Sequence, residues 1–125
     1  MFSEYERLDV DCVLFSTTGP PGPESAATFA TEAQGHAAVN SYWVSFAMSA
    51  QHSPTASSDI IAPDGAWLAR CAADGTASVA VADIDDSPDA IDVVSKARPW
   101  RRRARAGAYD PHRVADQRSE DRQNF

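Results

Sequence analysis

Apolar positions along this chain change their period several times, and each change marks an element. Val10-Asp11-Cys12-Val13-Leu14-Phe15-Ser16 is β-branched and apolar, the composition of a largely buried strand. The stretch from Thr17 to Glu24 then gathers Gly19, Pro20, Pro21, Gly22 and Pro23, and reads as a loop. Pro23 and Glu24 suit a first helical turn, where a missing N–H is harmless and an acid meets the positive end of the dipole. From there Ala26, Phe29, Ala30, Ala33 and Ala37 recur at helical spacing, an apolar face built mostly of small side chains. Gly35 weakens this helix by about 1 kcal/mol relative to alanine, and Asn40 and Ser41 end it. Tyr42-Trp43-Val44-Ser45-Phe46-Ala47 returns to a strand, and a polar loop from Ser49 to Ser57 follows.

The next segment carries the clearest punctuation. Ile60-Ile61-Ala62 and Ala66-Trp67-Leu68 flank Pro63-Asp64-Gly65. Pro63 pre-sets φ for the second position of a type I turn, Asp64 can bond backbone further on, and Gly65 can take the left-handed conformation of a bulged hairpin. Ala73-Asp74-Gly75 is a second turn signal, ahead of Ser78-Val79-Ala80-Val81-Ala82-Asp83-Ile84-Asp85. Together these predict a three-strand antiparallel meander. In its last strand Val79 and Val81 share one face and Ala80, Ala82 and Ile84 the other, which predicts a sheet covered on both sides. Ser87-Pro88-Asp89 then reads as a helix start, with Ile91, Val93 and Val94 as its apolar side until Pro99.

Charge divides the chain in two. The net charge is −7, yet Arg7 and Arg70 are the only cations before Ser95; Lys96, Arg98, Arg101, Arg102, Arg103, Arg105, Arg113, Arg118 and Arg122 all follow it. The basic cluster Arg101-Arg102-Arg103-Ala104-Arg105 has phosphate-binding character on its own. No nucleic-acid motif accompanies it in an acidic chain, so the reading is a solvated tail that pairs with the acidic body or a partner subunit, with no nucleic acid as ligand. At 125 residues the length suits one domain. No apolar run is long enough to span a membrane, no secretory leader precedes Asp11, and two cysteines suit a reduced, cytoplasmic chain.

Four pieces of wording, in order, resemble the nitrilase or carbon–nitrogen hydrolase superfamily. Phe2-Ser3-Glu4 is similar to the Phe-Pro-Glu segment that follows that family's nucleophile, and Ala37 to Val44, with Asn40 at its centre, to its helix-to-strand passage. Ser58 to Gly65 resembles the Ser-x-Ile-Ile-x-Pro-Asp-Gly hairpin, and Val81-Ala82-Asp83-Ile84-Asp85 the strand after it. The resemblance implies an α/β layered fold, part of a four-layer αββα sandwich. Residues 1–98 would be the C-terminal half of such a domain and 99–125 a basic, polar tail. It implies hydrolysis of non-peptide C–N bonds in amides or nitriles, without a cofactor, in a homo-oligomer. The family positions carried over are Phe2, Glu4, Asn40, Pro63, Asp64 and Gly65, where the expected role is structural. Val39 stands where the family has glutamate, Ser3 where it has proline, and Met48 where asparagine is common.

The family's chemistry uses a cysteine nucleophile, a glutamate base and a lysine that steadies the oxyanion, an arrangement that activates a thiolate and stabilises a tetrahedral intermediate. On this alignment all three fall before Met1, so the resemblance implies no catalytic residue in this chain and no activity of the chain alone. Cys12 lies among Val13 and Leu14, where an apolar setting keeps a thiol protonated. Lys96, the only lysine, reads as a surface charge and Glu4 as a hydrogen-bonding or solvated group. The alternative is a non-catalytic, partner-binding half-domain or a relic of such an enzyme.

Rival chemistries fail on spacing. The acidic run from Asp83 to Asp89 has Pro88 where a calcium loop needs glycine, and Val94 where it needs a bidentate glutamate. His36, His52 and His112 are dispersed, and no cysteine pair has zinc spacing, so no metal is expected. Neither a Gly-x-Ser-x-Gly elbow nor a phosphate-binding glycine loop occurs. Trp43, Trp67 and Trp100 read as packing residues.

Overall fold

The computed structural model describes Tyr5, residues 10–18 and residues 22–85. Within them the chain forms a small mixed arrangement of one helix and one three-stranded sheet. Strand β1 runs over Cys12–Thr17, helix α1 over Pro23–Asn40, strand β2 over Trp43–Met48 and strand β3 over Asp59–Ile61. The sheet order is β1-β2-β3. β1 and β2 are parallel, with Val13 beside Val44 and Phe15 beside Phe46; β2 and β3 are antiparallel, with Val44 beside Ile61 and Phe46 beside Asp59. Parallel neighbours need a long crossover, and α1 supplies it.

The helix begins at a proline, as the loop chemistry predicts, and ends where Ser41 turns left-handed at φ 56° and ψ 47°. Its buried stripe is Ala26, Ala33 and Ala37, all fully buried, with Phe29 and Ala30 partly so. Because the stripe is made of methyl groups, the bulk of the core comes from the sheet. Val13, Tyr42, Val44, Phe46 and Ile61 are buried against Ala33 and Ala37. Phe15 bridges the layers, with ring centroids 6.3 Å from Phe29 and 5.6 Å from Phe46. Such tilted aromatic pairs add to area burial alone.

The opposite face of the sheet differs. Side chains alternate along a strand, and between buried Val13 and half-buried Phe15 stands Leu14, 81% exposed. Ser16 and Ala47 on that face are exposed too, and Ser45 and Ile60 are half-buried. Trp43 is the buried residue at its start. One layer of the sheet is thus packed, and the other is largely open to solvent.

Two expectations require correction. The predicted three-strand meander does not form. Its second strand shrinks to a single bridge between Ile61 and Trp67, followed by a bond from the Leu68 N–H to the Ile60 carbonyl. Continuing that register would bring Arg70 to Ser58, but the bond to the Ser58 carbonyl comes from Cys71, one residue later, at 2.9 Å. The extra residue is a bulge, and the Asp59 carboxylate fills it by accepting the Ala69 N–H at 2.8 Å. The third strand does not form: residues 78–85 join no ladder among the described residues, and Val79 and Val81 are 88% and 83% exposed. Its two-sided apolar pattern therefore does not mean a covered sheet here, because no described strand lies beside it. The polar loop also holds a 3₁₀ turn, Ala50–His52, which the sequence pattern does not announce. The helix start at Ser87-Pro88, the basic cluster and the whole 99–125 tail lie outside the described residues.

Candidate functional site

Of the six family positions, Phe2 and Glu4 lie outside the described residues, and the other four fall into two separate places. Pro63, Asp64 and Gly65 form the tip of the hairpin after β3. The Gly65 N–H bonds the Ala62 carbonyl at 2.8 Å, and the Ala62 N–H bonds the Ala66 carbonyl at 2.8 Å. Asp64 Oδ1 accepts the Ala66 N–H at 2.8 Å, and Gly65 sits at φ +86°. Proline, aspartate and glycine thus do the three tasks that turn chemistry assigns them. A tertiary reason for the glycine is added by α1. A Cβ at Gly65 would stand 3.2 Å from the Ala38 Cβ, and the Gln34 amide donates to the Gly65 carbonyl at 2.9 Å. The tip is pinned to the helix.

Asn40 lies at the other end of that helix. Its Nδ2 donates to the His36 carbonyl at 3.0 Å and to the Tyr42 hydroxyl at 3.2 Å, with His36 Nδ1 also at 3.2 Å. Both Asn40 and Tyr42 are buried, so the asparagine links the last helical turn to the start of β2. These four residues are joints of the scaffold, and they do not converge on a common cleft.

The thiols occupy two unconnected environments. Cys12 opens β1, half-buried; burial pushes its thiol above the ordinary value, a Ser45 backbone hydrogen bond partly offsets this, and the Asp11 charge adds to it. A thiol held protonated is a poor nucleophile. Cys71 borders a cavity of about 180 Å³ lined by Met48, Ser53, Ser58, Thr76 and Ser78 among others. Its Sγ donates to the Ser78 carbonyl at 3.5 Å. The surrounding hydroxyls are occupied by backbone: Ser58 Oγ accepts the Met48 N–H, Ser53 Oγ the Gly75 N–H and Ser78 Oγ the Ala72 N–H. No histidine, glutamate or lysine is among the described residues that line this cavity, so none of them sets a base beside the thiol.

A third cluster escaped the sequence reading. Asp59 is buried at the β2–β3 edge, where its carboxylate accepts the Ala69 N–H and, at 3.1 Å, the Arg70 Nε–H. The Arg70 guanidinium lies 4.6 Å over the Trp67 ring, whose edge packs on Phe46 at 6.5 Å. Arg70 was visible as a lone cation in an acidic stretch, but nothing in the sequence paired it with an aspartate eleven positions away. The cluster locks the bulged segment to β3. Among the described residues no group of three or more histidine, cysteine or acidic side chains could hold a metal ion, and no helix is long and apolar enough to cross a membrane.

No family model, curated protein or solved structure matches this chain.

Proposed function

We propose that this chain is the scaffold side of a carbon–nitrogen hydrolase-type domain, part of a four-layer αββα sandwich whose catalytic cysteine, glutamate and lysine are supplied by residues outside it. The full domain would hydrolyse a small amide or nitrile, in the cytoplasm and without a cofactor. One observation supports the reading: the second and third similar pieces fall on the α1-to-β2 passage and on the hairpin after β3, in a sheet with one face packed by α1 and the other left open at Leu14. A second sheet packed on that face would complete the sandwich. The two thiols support the division of labour. Both are free, and neither has the neighbours of a nucleophile among the described residues.

The test is the DNA upstream of the Met1 codon, followed by expression of whatever longer frame it encodes. The expected result is an in-frame stretch with a glutamate, a lysine and a cysteine shortly before Phe2-Ser3-Glu4, and release of ammonia from amides or nitriles by the longer product. The 125-residue chain should be inert in the same assay. A stop codon abutting Met1, or a longer product inert across amides and nitriles, overturns the reading. A second reading, a non-catalytic half-domain that binds a partner or its own copies, is favoured by the exposure of Leu14, Val79 and Val81. Substrate-independent association of the chain would support it.

A further inference from the structure

Two Asp-Gly pairs stand at turns, Asp64-Gly65 and Asp74-Gly75, with both aspartates exposed. In each, the aspartate Oδ1 accepts the N–H two residues on, which folds the carboxyl back over the peptide between them. In each, the glycine is left-handed, at φ +86° and +84°. The surroundings differ. Gly65 is buried, its carbonyl is held by the Gln34 amide at 2.9 Å, and the Ala38 Cβ lies 3.2 Å from where a Cβ of its own would stand. Around Gly75, chain neighbours apart, nothing lies within 4 Å of that point, and its N–H donates to a side chain, Ser53 Oγ at 3.0 Å. Asp74 Oδ1 also accepts twice, from the Thr76 N–H at 2.9 Å and the Thr76 hydroxyl at 2.6 Å. Among the described residues Asp64 Oδ1 accepts only the Ala66 N–H.

We propose that Asp74-Gly75 is a self-modification site, at which the chain closes a succinimide and reopens it as isoaspartate. The Gly75 nitrogen bonds Asp74 Cγ and gives up its proton. The Cγ–Oδ2 bond then breaks, and Oδ2 leaves as water with that proton and the proton of the neutral carboxyl. Oδ1 remains as the imide oxygen. Water opens the ring by adding either to Cγ, which restores aspartate, or to the Asp74 main-chain carbonyl carbon, which leaves isoaspartate. Negative charge develops on Oδ1 as the nitrogen adds, and Thr76 already aims two donors at that atom, the arrangement of an oxyanion hole. To reach Cγ the Gly75 nitrogen has to leave only the Ser53 bond, whereas Gly65 would have to break the Ala62 and Gln34 bonds that pin the hairpin. Closure removes the Asp74 charge and the Gly75 N–H, so Ser53 Oγ loses its donor and the loop comes off the end of the 3₁₀ turn. The same Thr76 donors favour the ionised carboxyl, which cannot lose water, so the reaction is slow at neutral pH and quickens as the pH falls. This chemistry does not depend on the hydrolase reading.

The experiment incubates the full 125-residue chain, folded and in urea, from neutral to mildly acidic pH. Trypsin separates the two sites by cutting after Arg70, and mass spectrometry reads the loss of one water and the isoaspartate in each peptide. Solvent exposure weakens the Thr76 donors, so the expected excess at Asp74 over Asp64 in the folded chain is about tenfold, below the ~10²-fold of a buried oxyanion donor. In urea the two sites should react alike. The folded rate at Asp74 should rise as the pH falls, and Thr76→Val should lower the plateau reached once the carboxyl is neutral, with unchanged circular dichroism. Equal yields at the two sites in the folded chain overturn the proposal. So does an excess at Asp74 that persists in urea, or a Thr76→Val plateau as high as that of the unaltered chain.

Discussion

At the scale of single residues, Gly65 and Asp59 carry the most structural consequence. Gly65→Ala meets two penalties together: a left-handed φ that disfavours a Cβ, and a contact 3.2 Å from Ala38 on a helix that cannot yield without disturbing its buried alanines. The expected loss is about 1–2 kcal/mol, the cost of a left-handed L-residue, seen as a lower urea midpoint with an unchanged slope. Asp59→Ala removes the acceptor of the Ala69 N–H and of Arg70 from a buried position. Leaving such groups unsatisfied costs about 1–3 kcal/mol. Arg70→Ala should lose less, because its side chain is 59% exposed and water takes its place. An equal loss in both variants would contradict the view that the buried carboxylate organises the bulge.

Titration adds a second residue-level test. The Thr76 hydroxyl and N–H bonds hold the Asp74 carboxyl below its ordinary value. A depressed folded value means that the group favours folding above its unfolded pKa, and that this contribution disappears as pH falls through the folded pKa. Carbon-detected NMR should show Asp74 titrating below an unstructured aspartate, and Thr76→Val should move it back up. Cys12 has the opposite sense. Burial raises its value, so the folded chain holds the proton longer, and stability declines as pH rises from the ordinary thiol pKa toward the folded one.

At the scale of elements, what was legible in the sequence depended on how local its cause was. The α1 boundaries follow from Pro23 at one end and Asn40-Ser41 at the other, and the turn at Pro63-Asp64-Gly65 is set within five residues. Both are written in neighbouring residues. The second and third strands of the meander do not form because strand pairing is decided by what lies alongside. The Asp59 carboxylate claims the Ala69 N–H and forces a bulge, and residues 78–85 have a strand's composition without a neighbouring ladder. No periodicity reports either fact. The same contrast governs Asn40: its place at the helix end is legible, while its bond to the Tyr42 hydroxyl is not. The helix itself offers a prediction that depends on local cause alone. A Cβ at Gly35 meets nothing within 4 Å, and the position is helical and exposed. Gly35→Ala should therefore stabilise the chain by about 0.4–1 kcal/mol, read as a higher midpoint in thermal or urea unfolding. Destabilisation would mean that an unseen neighbour occupies that surface.

At the scale of the whole molecule, the question is what the open face of the sheet is for. Val13 and Leu14 are adjacent and similarly apolar, yet one is buried beneath α1 and the other is 81% exposed. That asymmetry separates the two functional readings through one substitution. In the 125-residue chain, Leu14→Ser removes a side chain that touches mainly water, so the change in stability should stay within about 0.5 kcal/mol, while binding of a hydrophobic dye falls. In a longer product whose second sheet packs on this face, the same leucine would be buried. Losing its burial there should cost about 1.5–3 kcal/mol. Paired unfolding curves for the short and long products, each with and without Leu14→Ser, give the difference directly. A penalty confined to the long product assigns the face to a second layer of the same domain. If the short chain alone pays it, and only at concentrations where the chain self-associates, the face belongs to an interface between copies. A null effect in both leaves Leu14 as a surface residue and removes the main structural support for the sandwich.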